Sequence, residues 1–183
     1  MLQRLLRDYN ELADRFFVYP VQESLDKFYL VIIGPDNTPY AHIPFVFIVT
    51  VPDTYPFDPP SISYLSFTTN KIHPNLYING KVCLSIIGTY IGPDSLKTNR
   101  EYGWNPVMTL SSLAYSIQSI LHDKPLLQEP CEKDTSQENI QRYNHQVHTE
   151  CMNSIHNYET LFMIPPVKEY VMSKLHLITK NKP

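Results

Sequence analysis

Over residues 2–16, apolar side chains recur at three- and four-residue spacing: Leu2, Leu5, Leu6, Tyr9, Leu12, Ala13 and Phe16. That period lays one apolar stripe along a helix. Arg4, Arg7, Glu11 and Arg15 fall on the opposite face, which reads as solvated. The pattern then changes. Residues 27–33 (KFYLVII), 43–51 and 61–67 (SISYLSF) are short runs rich in β-branched and aromatic residues, which predict strands. Gly34-Pro35-Asp36-Asn37 supplies a turn between the first two. Three strands on short connections imply an antiparallel meander.

Helical spacing returns at 110–122, with Leu110, Leu113, Ala114, Ile117, Ile120 and Leu121 forming the stripe of a core helix that Lys124-Pro125 ends. A last long helix is expected from about Thr135, because Thr135 and Glu138 have capping-box spacing. Ile140, Tyr143, Val147, Cys151 and Ile155 share one of its faces, which makes Cys151 a core thiol. Pro165-Pro166 stops that pattern, residues 166–176 predict one more short helix, and a frayed tail follows from Lys180. With helices at both ends and strands between, the fold class is α+β: an antiparallel meander sheet flanked by an N-terminal helix, a core helix and C-terminal helices. There is no internal repeat.

Composition narrows the function. A chain of 183 residues defaults to one domain with a sizeable core. Its 15 Lys+Arg against 18 Asp+Glu give a net charge of -3, which argues against a nucleic-acid surface. Sixteen prolines against five glycines imply rigid, extended connections. Three widely spaced cysteines, Cys83, Cys131 and Cys151, contain no CxxC pair, so neither a structural metal site nor a disulfide framework is expected. A reducing, intracellular compartment fits such thiols. The charged N-terminus does not read as a signal peptide, and residues 43–51 are too few to cross a membrane. No cofactor is implied.

The candidate chemistry lies in HPNLYINGKVCLSI, residues 73–86. Asn79-Gly80 is a strong turn signal, and a turn there brings Asn75 back toward Cys83. A thiol that receives an acyl group needs a nearby donor for the developing oxyanion, and an Asn amide is one. Two blander readings stand beside this. Most free cysteines are inert core thiols, and an Asn can simply brace a turn.

Four motifs in order give the segment its context: GPDNTPYAHIPFVFIVTVPDTYPFDPP at 34–60, HPN at 73–75, GKVCLSI at 80–86, and YGWNP at 102–106 followed by the stretch ending SIQSIL. Together they resemble the ubiquitin-conjugating enzyme family over residues 1–160. The resemblance implies a catalytic core at 1–160, with 161–183 as a helical extension of the same domain. It implies a carrier that accepts ubiquitin, or a ubiquitin-like modifier, as a thioester on Cys83 from an activating enzyme. Transfer to a lysine of an acceptor protein follows, usually with a ubiquitin ligase. Asn75 carries over as oxyanion stabiliser. His73 becomes structural, Pro74 shapes the segment, and Ser85 and Glu129 sit beside the site. Arg4 and Arg7 of the first helix, Phe57 in the proline-rich loop and Pro106 after Trp104 carry over to the partner-binding surface. The implied protein is a monomer of the cytoplasm or nucleus, with no nucleic-acid or membrane partner.

The sequence departs from the family pattern in three places. Many members have Asp two residues after the catalytic Cys, where this chain has Ser85. Asn105 and Val107 replace residues of the family's Trp-Ser-Pro-Ala element. Residues 84–103 form a longer connection than compact members have, and GTYIGP at 88–93 resembles the GTWTGP run of a larger-member branch. Two other readings remain. A non-catalytic module of the same fold keeps the proline loop but loses the cysteine, which is present here. A cysteine hydrolase needs a histidine close to its sulfur, and the family reading gives His73 another task.

Overall fold

The computed structural model describes residues 2–22, 24, 26–89, 103–129, 132, 135–161 and 164–180. Helix α1 spans Leu2–Ala13, shorter than the apolar stripe that continues to Phe16. The chain leaves the helix there because Phe17–Pro20 pairs with the sheet as β1. The hydropathy pattern did not predict this strand, since four residues are too few to establish a period. Pro20 lacks an N–H and is tolerated because β1 is an edge strand.

Strands β2 (Lys27–Ile33), β3 (Pro44–Thr50) and β4 (Ser61–Leu65) complete an antiparallel sheet in the order β1-β2-β3-β4. The β2–β3 turn needs glycine at its start. A Cβ on Gly34 would lie 1.8 Å from the Tyr40 carbonyl oxygen.

Register assigns the sheet's two faces. Leu30 pairs with Phe47 and Phe47 with Tyr64, so these side chains share one face. Phe28 lies on it too, and its ring meets Tyr9 of α1 edge-on at 5.3 Å. Helix α2 (Leu110–Ile120) packs against both α1 and β2. A capping box of Thr109 with Ser112 starts α2, a pairing the sequence pattern had not singled out.

The other face is also covered. Phe17, Val31 and Val46 share it, and Phe17 stacks on Tyr170 at 4.0 Å. Tyr170 belongs to α5 (Pro165–Lys180), whose Val167 and Val171 are fully buried. This corrects the expectation of a short helix over 166–176. Pro165 opens the helix, because a missing N–H costs nothing in a first turn.

Between α2 and α5, helix α3 covers Gln137–Ser154, and a short turn leads into α4 at Tyr158–Leu161. The expected Thr135–Glu138 capping box is replaced. The chain becomes helical one residue later, so Ser136 accepts from the Asn139 N–H. Cys151 on α3 is fully buried, and burial pushes its thiol up to about 12. Cys131 lies outside the described residues. Among the described residues, no helix is long and apolar enough to cross a membrane.

The core makes unequal demands on its leucines. Leu30 is 1% exposed between the two layers, whereas Leu6 on α1 is largely in solvent. Leu30→Ala is expected to destabilise the fold by about 2–5 kcal/mol in urea unfolding, and Leu6→Ala by no more than about 0.5 kcal/mol.

Candidate active site

The segment that carries Cys83 is a small hairpin laid beside the sheet. Residues 75–77 run antiparallel to 81–83. The Cys83 N–H donates to the Asn75 carbonyl at 2.9 Å, and the Tyr77 N–H to the Lys81 carbonyl at 3.0 Å. Leu76 and Val82 form the buried rung between them. Asn79-Gly80 makes the turn, as its composition predicts. Gly80 has φ 90°, and a Cβ there would sit 2.6 Å from Ser63 Oγ. The Tyr64 N–H donates to the Gly80 carbonyl at 2.8 Å, fastening the hairpin to the end of β4.

Asn75 and Cys83 are joined a second time. Asn75 Nδ2 donates to the Cys83 carbonyl oxygen at 2.8 Å. Of the two tasks open for this side chain, bracing is therefore visible in the geometry. Cys83 itself retains 9% exposure and Asn75 7%, so the thiol sits at the mouth of the segment with most of its surface covered.

His73 holds the hairpin from below. It is fully buried, its Nδ1 accepts from the Asn75 N–H at 2.9 Å, and its Nε2 lies 2.8 Å from the Ile120 carbonyl. Those roles require the neutral ring with its proton on Nε2. Burial drives its pKa down to about 3. Both ring nitrogens are occupied, so His73 has no lone pair to offer the Cys83 thiol. The end of α2 is thereby tied to the start of the active segment. Gln128 Nε2 donates to the same Ile120 carbonyl at 3.3 Å, a contact that sequence patterning gave no reason to expect.

After Cys83 the chain enters a single 3-10 turn, Ser85–Ile87, with Ser85 exposed at its start. Gly88 closes that turn in the left-handed region. Thr89 then folds back: its hydroxyl accepts from the Leu84 N–H at 2.9 Å and donates to the Val82 carbonyl at 2.7 Å. The first residues of the long connection thus buttress the strand that carries Cys83. Residues 90–102 of that connection lie outside the described residues. Glu129 follows the short 3-10 helix Pro125–Gln128 and pairs with Lys71, two residues before His73, at 3.2 Å. Asp123 is more exposed and lies beside His122.

A second constellation joins three separate segments. Asp8, fully buried on α1, accepts from Arg4 Nε at 2.7 Å, from Arg7 at 3.3 Å and from the Tyr55 hydroxyl. Arg4 also donates to the Met108 carbonyl at 2.8 Å. Its pKa rises, chiefly through the Asp8 hydrogen bond, while burial followed by Asp8 pushes the Tyr55 hydroxyl up. Trp104 Nε1 donates to the Pro56 carbonyl at 2.7 Å, fastening the two loops together. This network holds out an apolar edge: Phe57 is 76% exposed and Val107 86%, with Pro106 exposed between Asn105 and Val107. The face of α1 that patterning read as solvated therefore turns Arg4 inward. Asp8, absent from the sequence-level candidates, is the hub. Among the described residues, no group of three His, Cys, Asp or Glu side chains is arranged to hold a metal.

The state of His73 sets a pH dependence. Its folded pKa of about 3 lies below the unfolded value of about 6.5, so the unfolded chain binds the extra proton between those limits. Its contribution to stability is complete above about 6.5 and falls as pH drops, approaching about 1.4 kcal/mol per unit. Denaturant midpoints from pH 7 to pH 5 should fall more steeply for the wild type than for His73→Gln.

The same layout is found in known proteins. A family model described as "Ubiquitin-conjugating enzyme" matches residues 2–153. The chain is 37% identical over 135 residues to ubiquitin-conjugating enzyme E2 Z of Homo sapiens, covering 70% of this chain and 36% of that protein. It is 35% identical over 156 residues to E2 Z of Danio rerio, covering 81% and 45%. A solved E2 domain of a Toxoplasma gondii ubiquitin conjugating enzyme superposes with a TM-score of 0.60 at 25% identity, over 84% of this chain and 96% of that one. The chain thus spans less than half the length of these curated E2 Z relatives. With the family model reaching from α1 to the end of α3, and the meander sheet and Cys83 hairpin inside the matched span, the chain belongs to the ubiquitin-conjugating enzyme family.

Proposed function

We propose that this chain is the catalytic core of an enzyme that carries ubiquitin, or a ubiquitin-like modifier, as a thioester on Cys83. The double clamp between Asn75 and Cys83, by main chain and side chain, carries the reading. Cys83 attacks the thioester of the charged activating enzyme; its sulfur bonds to the acyl carbon and the donor thiolate leaves. Exchange between thioesters is nearly balanced and needs no strong base beside the sulfur. The occupied ring of His73 supports this reading over a hydrolase, whose nucleophile is paired with a basic histidine.

In the second step an acceptor lysine attacks the Cys83 thioester. The Asn75 amide has two N–H groups, and one braces the Cys83 carbonyl. The other is the donor for the oxyanion that forms as the amine adds. Pro74 fixes the backbone between His73 and Asn75. Ser85 leaves the residue-85 position uncharged, so local acidity comes from Glu129, held near the segment by Lys71. Arg4 acts through the Asp8 network, and Arg7, Phe57 and Pro106 form the face that an activating enzyme and a ligase share. Residues 1–160 are the core and 161–183 its helical extension. The chain works as a monomer, with no metal or cofactor, in the reducing cytoplasm or nucleus where a free thiol persists.

A charging assay tests the first step. Incubation with activating enzyme, modifier and ATP is expected to give an adduct that reducing agent removes. Cys83→Ala should give none, and Cys83→Ser a stable ester. A folded protein that charges with no activating enzyme or modifier would leave only a non-catalytic module of this fold. For the second step, Asn75→Ala is expected to slow discharge onto free lysine by about a hundred- to a thousand-fold. Discharge at the wild-type rate would remove Asn75 from the oxyanion role.

A further inference from the structure

We propose that Thr89 is a positioning residue for the transfer: its hydroxyl fixes the two peptide planes that meet at Cys83 and so aims the acyl carbonyl at the Asn75 amide. The inference rests on Cys83 carrying a thioester, as proposed above.

The direction of a side chain follows from the backbone, because the Cα–Cβ bond turns with the peptide planes on either side of it. At Cys83 the first plane carries the Val82 carbonyl and the Cys83 N–H. The second carries the Cys83 carbonyl and the Leu84 N–H. In an extended segment the residue's own pair points to one edge and the neighbours' pair to the other. Asn75 holds the first edge: its carbonyl accepts from the Cys83 N–H at 2.9 Å, and its Nδ2 donates to the Cys83 carbonyl at 2.8 Å. Thr89 holds the second edge with a single oxygen. Its Oγ1 donates to the Val82 carbonyl at 2.7 Å and accepts from the Leu84 N–H at 2.9 Å. Every polar group of both planes is bonded, and each plane is gripped at both ends.

The Thr89 backbone makes the grip firm. Its N–H donates to the Leu84 carbonyl at 3.1 Å, so the hydroxyl is held where it acts. Threonines often bond to nearby backbone merely to brace a turn. Here the partners lie outside the 3-10 turn Ser85–Ile87 and straddle Cys83. Thr89 is also exposed, so burial does not force its hydroxyl onto these groups.

The lever lies in the attached acyl group. Its carbonyl carbon is bonded to the Cys83 sulfur, beyond Cβ, so a small turn of the Cα–Cβ bond is enlarged at the carbonyl oxygen. A hydrogen bond from Asn75 to that oxygen tolerates little error in distance or angle. Without Thr89, each plane is held at one end and can swing about its bond to Asn75. The donor stays in place while the acceptor drifts from it.

The test is single-turnover discharge of the full chain. The protein is charged with ubiquitin, the activating enzyme is quenched, and free lysine is added. Thr89→Ala deletes the hydroxyl and gives water access to both backbone groups, so the chain is expected to stay folded, which urea midpoints check. It should slow discharge about ten-fold. Thr89→Ser, which keeps the hydroxyl, should recover the rate to within about two-fold of wild type. In an Asn75→Ala background, Thr89→Ala should cost no more than about two-fold further, because no donor is left to aim at. Wild-type discharge by Thr89→Ala, a Thr89→Ser as slow as Thr89→Ala, or a full additional loss in the Asn75→Ala background overturns the inference while the conjugating function stands. Absence of the reducible band in wild type sinks both.

Discussion

The segment that carries Cys83 depends on one buried imidazole. His73 bridges the backbone of its own hairpin and the last turn of α2, with an N–H on one side and a lone pair on the other. Only the neutral ring can do both. A charged ring would present two donors, and one would face the Asn75 N–H with nothing to accept it. Enclosure in the core enforces neutrality, since burial disfavours the charged form. The histidine nearest Cys83 in sequence thereby has both ring nitrogens committed to backbone groups and becomes a rigid spacer. Position follows for the rest. Asn75 is set by the His73 ring, Cys83 is set by Asn75, and the turn at Gly80 is anchored to β4.

Asp8 plays a comparable part near the start of α2, as His73 does at its end. A buried carboxylate is costly unless its oxygens are well supplied with donors. Here two arginines and a tyrosine supply them from α1 itself and from the proline-rich loop. Arg4 extends the chain of contacts to the carbonyl of Met108, just before α2. The apolar edge of Phe57 and Val107 stands exposed because the loops beneath it are fixed by polar bonds rather than by burying those side chains. Removing an arginine here would loosen packing as well as delete a charge.

The sheet is covered on both faces at its β1–β3 end. That explains why four consecutive residues of β3, Pro44 to Phe47, are buried where a half-solvated sheet would alternate. Helix α5 supplies the second cover through Val167, Val171 and the Tyr170–Phe17 stack. The helical extension is therefore packed into the same core as the sheet.

The sequence by itself determined the element types, the meander and the hairpin turn, because these rest on local rules: apolar period, β-branched runs, and a glycine where φ must be positive. It also singled out HPN and Cys83 as the candidate chemical centre. Boundaries were less legible. Strand β1 has too few residues to show a period. The start of α3 depended on which of two adjacent hydroxyls met the Asn139 N–H. Only the tertiary structure decided the partners. Nothing local to Asp8 distinguishes it from the charged residues around it, and its burial follows from Tyr55, far along the chain. Nothing local to His73 tells base from spacer. The carbonyl of Ile120 makes that choice, and it arrives from another helix. Local propensity is written in neighbouring residues, whereas the charge state and role of a buried polar group are set by what the fold brings against it.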